Sequence, residues 1–449
     1  MSEAQTPSLS HRLRGVPPGW WLVAALLLIT TVLWGIGVLV ARPASALNPW
    51  LGPSLLLSDW AIALLAVILL ATTRSRSIEP LFGGLDRAVR FHRQLAPIAI
   101  GITFIHVLMY IPPALSEGRT VAHVLIPFWS ENPNESLTAG VFWLLVALTA
   151  AAYNKTWRYE RWLLVHGLLG PVFLMTSAHA LMLGPVIQAF EPLRFWMWAL
   201  VLVGAGAWIY RVLLFRRVAP HYPYKVEQAT VVGDNTLDLV MRPKARRMMF
   251  EPGTFVFIRR PSGGLPGQER EAHPFSISSA PTERDLRLSI RMVGDFTKEL
   301  TSLQPGDPME VYGPFGGFTP HRYAGYRRLV CIGAGIGITP FLSMMRFELA
   351  NNDFRRIWLW YVARTEDGAP YHQELSDLVL KADSYVDYDL WLTGERGRLT
   401  AKKVIEEVML DDFAVMLCGS SKFTEDMTRQ FRAAGLPEDR LIFDDLSFR

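Results

Sequence analysis

The chain is poor in cysteine and in charge. Only two cysteines, Cys331 and Cys418, occur among 449 residues, and Asp, Glu, Lys and Arg together make up 19%. Two cysteines build no disulfide scaffold, and their spacing fits neither a zinc nor an iron–sulfur site. Both lie in the second half, which is expected on the cytoplasmic side, where disulfides are rare. Internal repeats of solenoid period, long low-complexity tracts and a visible acid–base dyad are all missing. The net charge of +4 is expected to reflect membrane topology, not a nucleic-acid footprint, so no nucleic-acid partner is expected.

What is abundant is apolar sequence. Half of the residues are hydrophobic, and they crowd into the first half. Six stretches are long enough to span a bilayer, some interrupted by Gly or Pro: 19–41, 54–72, 91–112, 137–153, 161–183 and 194–215. The first is not read as a cleavable signal peptide, being long and without a clear small-residue cleavage site. Basic residues alternate in the connections. Arg12 and Arg14 precede the first span; Arg74, Arg76, Arg87, Arg90 and Arg93 follow the second; Lys155, Arg158 and Arg161 lie before the fifth; Arg211, Arg216 and Arg217 close the sixth. The other loops hold Arg42, Arg119 and Arg194. The positive-inside rule then predicts both termini on the cytoplasmic side.

Four histidines sit inside these spans. His92 and His106 are fourteen positions apart in the third span, and His166 and His179 thirteen apart in the fifth. At about 1.5 Å rise per residue, each pair covers roughly 20 Å along its helix. A single intramembrane His can be a packing residue, but ionisable side chains in spans are rare and often functional. Two pairs at matching separation, side by side, can clamp two haems stacked across a bilayer, because imidazole is a standard axial ligand of haem iron. A fourteen-residue step returns to nearly the same helix face, whereas a thirteen-residue step misses by roughly 140°. The fifth span must therefore change its winding, and Gly170 and Pro171 are where the mismatch is expected to be absorbed, since proline removes a helical hydrogen bond.

After Arg217 the texture changes. Short β-like runs at 224–231, 236–241, 254–259 and 286–292, punctuated by Gly and Pro, predict an antiparallel barrel. Residues 261–272 form a polar, Gly-rich loop. From about Arg327, strands at 329–332, 357–362, 388–392 and 414–418 alternate with helical segments, a parallel α/β pattern. A barrel followed by a doubly wound domain suggests a flavin site and then a nicotinamide site. The expected divisions are 1–18, a cytoplasmic segment; 19–217, the membrane domain; 218–322, the barrel; and 323–449, the α/β domain.

Several motifs fit those sites. In His273-Pro274-Phe275-Ser276-Ile277-Ser278-Ser279, small hydroxyls can bond a flavin ring and an aromatic can stack on it; an ordinary strand ending in a serine-rich loop reads the same way. Arg291-Met-Val293-Gly294-Asp-Phe296-Thr297 offers a guanidinium, a glycine for close backbone approach and a hydroxyl, suited to a pyrophosphate. Tyr312-Gly-Pro-Phe-Gly-Gly317 is expected to be the turn joining the two domains. Gly333-Ala-Gly335-Ile-Gly337-Ile-Thr339-Pro340 follows a strand and opens a helix, which places backbone N–H groups against a dinucleotide phosphate. It is not the usual Rossmann spacing, and no acidic residue stands out for a ribose diol. Arg364, Arg396 and Arg398 after the next strands suit a 2′-phosphate, hence NADPH over NADH, or are solvated surface arginines. Cys418-Gly419-Ser would sit beside the nicotinamide, or Cys418 is a buried structural residue. Phe448 is a candidate flavin-stacking lid, or part of a frayed terminus.

In combination these motifs resemble the NADPH oxidase and ferric reductase superfamily over most of the chain. The two His spacings, Leu85-Asp-Arg with Phe91-His92-Arg93, His273–Ser276, Arg291–Thr297, Gly313–Gly316, Gly333–Pro340, Leu392-Thr-Gly394, Gly397-Arg398 and Leu417-Cys418-Gly419 carry the resemblance. It implies a six-span membrane α-helical bundle followed by a ferredoxin-NADP reductase-like module: an antiparallel β-barrel FAD domain and an α/β nucleotide-binding domain. It also implies two b-type haems, the inner on His92 and His166 and the outer on His106 and His179. FAD would lie on the 273–279, 291–297 and 312–317 motifs, NADPH on Gly333 through Gly419, and Phe448 would stack on the flavin. Electrons would pass from NADPH to an acceptor on the outer face, either oxygen, giving superoxide, or a ferric chelate; a periplasmic partner protein is a third acceptor. Tyr110 stands one turn past His106 where animal oxidases place a further His, a departure that bears on the acceptor. With no EF-hand loop and no Src-homology-ligand tail, no obligate cytosolic activator is expected. The compact chain looks like a bacterial inner-membrane member.

Overall fold

A computed structural model describes residues 18–127, 129, 133–154, 156–157, 159–261, 272–320, 326, 328–351, 356–382, 385–408 and 413–444. The chain divides into two units, Met1–Ala219 and Pro220–Arg449.

The first unit is helical. Its long elements are α1 (Pro18–Ala41), α2 (Leu51–Ala71), α3 (Leu85–Leu108), α4 (Pro133–Ala152), α5 (Tyr159–Gly167), α6 (Leu169–Leu183) and α7 (Glu191–Ile209). With α5 and α6 counted as one, six helical segments among the described residues are long and apolar enough to cross a membrane, and the chain is an integral membrane protein. α2 is the central element, with 56% of its apolar window buried, against 17% for α1. Large side chains of the outer helices point away from the bundle: Leu39 is 74% exposed and Leu164 69%. In lipid this costs nothing, and the helices meet instead through small residues. A methyl on Gly37 would lie 2.8 Å from Val186, and one on Gly204 would lie 2.7 Å from the Phe173 ring. Phe173, 3% exposed between the depths of the two His pairs, packs in the core with Ala63, Ala66 and Leu200.

The interruption of the fifth span falls at Leu168. Pro171 has no N–H for the carbonyl of Gly167, one turn earlier, and the indole N–H of Trp208 donates to that carbonyl at 2.9 Å instead. Gly170 makes room for the same indole, because a Cβ there would stand 2.2 Å from it. Sequence thus writes the break and its repair together.

The second unit holds two sheets. The first contains β1 (Tyr222–Val232), β2 (Thr236–Pro243), β3 (Phe255–Arg259), β4 (His273–Ser276), β5 (Leu286–Arg291) and β6 (Pro308–Phe315), in the order β4-β3-β6-β1-β2-β5 and antiparallel throughout. A bridge from Ile277 to Leu288 links the two edges and closes the barrel. Alternate inward residues such as Val226, Leu237, Leu239 and Leu288 are almost fully buried in its core. A short helix, α8 (Asp295–Glu299), follows β5. The second sheet is parallel: β7 (Arg328–Ala334), β8 (Arg356–Ala363), β9 (Val386–Leu392), β10 (Ala414–Cys418) and β11 (Leu441–Asp444), ordered β11-β10-β7-β8-β9. Its longer helices are α9 (Thr339–Asn351), α10 (His372–Lys381), α11 (Ala401–Val408) and α12 (Ser421–Ala433).

Two sequence expectations need correction, and a third is settled between its alternatives. Tyr312–Phe315 is the end of strand β6, not a free turn: Gly313 and Pro314 face the single residue Val256 where the β3–β6 ladder shifts register, a bulge that tolerates both residues. His273–Ser276 is a strand, as one of the two readings of that motif held, and its Pro274 is tolerated because β4 ends the sheet order. Ala414–Cys418 is not the last strand, since β11 pairs beyond it.

Candidate functional site

In the membrane unit, His92 and His166 face each other with ring centroids 5.9 Å apart and planes 74° apart. α2 supports both histidines of α3. Near its end the carbonyl of Ile68 lies 3.4 Å from His92 Nδ1. Near its start the Ser54 carbonyl accepts from His106 Nδ1 at 2.8 Å, and the Ser54 hydroxyl, itself fully buried, donates back to the His106 carbonyl at 2.9 Å. His179 Nδ1 meets the Thr138 hydroxyl on α4 at 3.1 Å. A proton fixed on Nδ1 leaves the Nε2 lone pair for another partner, the arrangement found at metal-bound imidazoles. His166 differs: its Nδ1 is buried without a hydrogen-bond partner among the described residues, and Trp162, one turn earlier, stacks on its ring at 4.8 Å. Tyr110 packs edge-on against His106 at 5.4 Å.

On the barrel, β4 and α8 bring two predicted motifs together. The His273 ring stacks on Phe296 at 3.9 Å and 21°, and Phe275 lies nearly parallel to Phe296 at 6.4 Å. Pro274 lies half-buried between these two strand residues, Ser276 is 5% exposed, and Arg291 and Val293 stand exposed at the end of β5. The Thr297 hydroxyl accepts from the N–H groups of Val293 and Gly294, each at 3.0 Å, so it shapes the turn itself. Ser278 and Ser279 are fully buried, and their hydroxyls are used within the protein. Ser278 donates to the Arg287 carbonyl at 3.0 Å, and Ser279 accepts from the Arg287 N–H at 3.0 Å. Their visible work is to close the barrel.

In the α/β domain the strand order reverses between β7 and β10, the crevice where such sheets bind ligands. Both predicted motifs of that crevice are there. Gly333 is the penultimate residue of β7; Gly335, at φ +56° with open space around it, and Gly337 lie in a single 3₁₀ turn; Thr339 and Pro340 begin α9. A Cβ on Gly337 would stand 2.2 Å from the Cys418 carbonyl oxygen, so this glycine allows the turn to lie against Cys418-Gly419. The Cys418 side chain is 3% exposed and belongs to the core beneath that turn. Cys331 is likewise buried, and burial pushes its thiol well above the ordinary range.

Arg364 starts the loop after β8, where its carbonyl accepts from Gly394 N–H at 3.1 Å. Arg364 and Arg398 are exposed and, among the described residues, form no ion pair. Arg396 is committed elsewhere: it bonds Asp389 at 2.8 Å and lies 3.8 Å over Trp391. Two further exposed carboxylates, Glu366 and Asp367, lie in the Arg364 loop. Phe448 lies outside the described residues.

Comparison with known proteins accounts for all three regions. Residues 57–177 match the ferric reductase like transmembrane component, 221–306 an FAD-binding domain, and 331–429 an oxidoreductase NAD-binding domain. NADPH oxidase 1 of Mus musculus is 32% identical over 228 residues, 46% of this chain and 36% of that protein. A superoxide-generating NADPH oxidase heavy chain of Dictyostelium discoideum is 24% identical over 452 residues, 84% of this chain and 63% of that protein. The chain therefore spans between about a third and just under two thirds of the length of these relatives. The crystal structure of Amycolatopsis cytochrome P450 reductase GcoB aligns with a TM-score of 0.44 at 21% identity, over 51% of this chain and 70% of that one. With its transmembrane, FAD-binding and NAD-binding regions in this order, the chain is an oxidoreductase that belongs to the NADPH oxidase and ferric reductase superfamily.

Proposed function

We propose that the protein moves electrons from cytoplasmic NADPH across the membrane to oxygen on the outer face, releasing superoxide. The observation that carries this reading is the paired-histidine frame inside the spans, joined in one chain to an FAD-binding barrel and a dinucleotide-binding domain. FAD would supply the conversion of a two-electron donor into single electrons, and two b-type haems would supply one-electron carriers within the hydrocarbon layer.

The residues fit such haems. His92 and His166, from two different spans, face each other with ring centroids 5.9 Å apart, and imidazole is a ligand of haem iron. Engagement of Nδ1 by Ile68, Ser54 and Thr138 orients His92, His106 and His179 with Nε2 available. His92 and His166 would hold the inner group, His106 and His179 the outer.

On the barrel, His273, Pro274, Phe275 and Phe296 would border the flavin, and Arg291 with the Val293–Thr297 turn would meet its pyrophosphate. Gly335 and Gly337 let the backbone approach the phosphates of NADPH at the start of α9. Arg364 and Arg398 would bond the 2′-phosphate, an assignment supported by their exposure and, among the described residues, by their lack of an ion pair. Phe448 would cover the flavin until the nicotinamide displaces it. The alternation of basic loops supports cytoplasmic termini in a bacterial inner membrane.

The deciding experiment follows NADPH consumption by the purified, reconstituted chain with oxygen, with a ferric chelate, and with neither. Superoxide dismutase-sensitive reduction of a reporter supports the oxidase reading. Turnover only with ferric chelate converts the assignment to a ferric reductase. Turnover with neither acceptor contradicts both and points to a periplasmic protein partner.

A further inference from the structure

Helix α9 carries the nucleotide turn at its start and is bound to the flavin barrel along its next two turns. Ser343, four residues after Thr339 and fully buried, donates to the carbonyl of Ser279 at 2.7 Å. Ser279 is the last residue of the His273–Ser279 motif. One turn further, the Arg346 guanidinium bonds both oxygens of Glu283 at 3.2 Å, in the turn just after that motif. Its other side bonds Glu374 on α10, Nε at 2.9 Å. Glu374 in turn accepts from Arg287 on β5 at 3.0 and 3.2 Å, and Arg287 closes on Asp238 of β2 at 2.7 and 2.8 Å.

The result is an alternating chain, Asp238–Arg287–Glu374–Arg346–Glu283, that crosses between barrel and α/β domain twice. Its side chains are 15–38% exposed, and Arg287 also lies 5.5 Å over the Tyr371 ring. Burial works against the Arg287 charge, yet Asp238 and Glu374 overcome it and leave the guanidinium pushed above its ordinary value. A third contact backs the chain: Gly253, between β2 and β3, approaches Met344 so closely that a Cβ would stand 2.5 Å from its methyl.

None of these side chains belongs to the motifs assigned to cofactors, apart from Ser279, which contributes a backbone carbonyl. We propose that Ser343, Arg346, Glu374, Glu283 and Arg287 form a positioning clasp that fixes the nucleotide turn of α9 against the flavin motif of β4, and so sets the rate of hydride transfer without touching either cofactor. The proposal rests on the NADPH-to-FAD reading above. In that step the C4–H bond of the dihydronicotinamide breaks and hydride carries both electrons to the flavin, leaving NADP⁺ and reduced flavin. Transfer demands contact distance and alignment, and a displacement near 1 Å can cost about 100-fold in rate. Two ionic crossings and one buried hydrogen bond within two turns of the nucleotide site supply that stiffness.

The test uses the full chain in detergent, loaded with FAD and mixed rapidly with NADPH without oxygen. Arg346→Met and Glu374→Gln should lower the limiting rate of flavin reduction by about ten- to a hundred-fold, with the NADPH concentration at half-saturation and FAD retention unchanged. Ser343→Ala, which removes a single hydroxyl and no charge, should lower the limiting rate in the same sense and serves if a charge variant does not fold. Arg346→Lys should recover part of the rate. Melting temperatures that fall while the limiting rate stays at the parent value would show the chain to be structural only and overturn the proposal. A parent chain whose bound flavin NADPH does not reduce would overturn the functional reading, and the clasp with it.

Discussion

Replacing Gly337 by alanine should weaken dinucleotide binding and leave the membrane unit undisturbed. The added methyl would stand 2.2 Å from the Cys418 carbonyl oxygen, 2.5 Å from its carbon and 2.7 Å from the Gly419 nitrogen. Carbon and oxygen rest at about 3.3–3.6 Å, so roughly 1 Å of separation is required. The obstacle is backbone, which has no rotamer to escape into. Overpacking of this kind costs about 1–3 kcal/mol, and here it falls between the two strand ends that form the crevice, β7 and β10. If the binding-competent arrangement bears that cost, affinity drops by about five- to 150-fold, taking 1.4 kcal/mol per factor of ten. Gly335→Ala is the control. It meets no atom, but φ +56° imposes left-handed strain of about 1–2 kcal/mol, so it should weaken binding less and displace no strand. Calorimetric titration of the full chain with NADP⁺, alongside a melting curve, measures both. Parent-like affinity in Gly337→Ala with an unchanged melting temperature would refute the assignment of this crevice.

Arg364→Ala should raise the KM for NADPH by about ten- to a hundred-fold, the worth of one charge-assisted hydrogen bond at 1.5–3 kcal/mol, and leave NADH nearly unchanged; equal losses would make Arg364 structural and turn attention to Glu366 and Asp367. Glu310→Gln should lower the melting temperature at neutral pH. Burial alone pushes the Glu310 carboxyl up, but hydrogen bonds from Tyr312 and Arg259 outweigh it and hold the group below its ordinary value. A depressed carboxylate stabilises the fold above its unfolded pKa, and that contribution is lost as pH falls through the folded one. The gap between parent and variant should therefore close on acidification below about pH 4.5, and a gap independent of pH would contradict the argument. Phe448→Ser should loosen FAD and change the hydride-transfer step with haem spectra unaltered; unchanged FAD affinity and turnover after removal of Phe448 and Arg449 would end the lid hypothesis.

The membrane helices were legible because length and apolarity alone define them: 18–41 and 161–183 fall within a residue of the stretches read from sequence. The strand-turn-helix around Gly333 was legible for a similar reason, since glycine spacing and flanking apolar runs are local signals. What was misread involves proline inside strands. The Gly313-Pro314 pair looks like a turn, and only the bulge opposite Val256 makes room for it inside β6. The serines of 276–279 look like ligand-binding hydroxyls, yet two of them are consumed by Arg287 backbone groups that no local pattern announces. The five charges from Asp238 to Glu374 were invisible for the same reason, because their pairing depends on which faces the barrel and α9 present to each other. Leu441–Asp444 was missed as a strand because four residues near a terminus carry too little periodicity.

The central claim, two haems clamped between the third and fifth spans, is tested most directly by haem content. Pyridine haemochrome analysis of the purified chain should give two b-type haems per protein. His92→Leu and His166→Leu should each remove the same one, and His106→Leu and His179→Leu each the other, with the remaining haem low-spin in every case. One haem in the parent chain, or two retained in all four variants, would contradict the account.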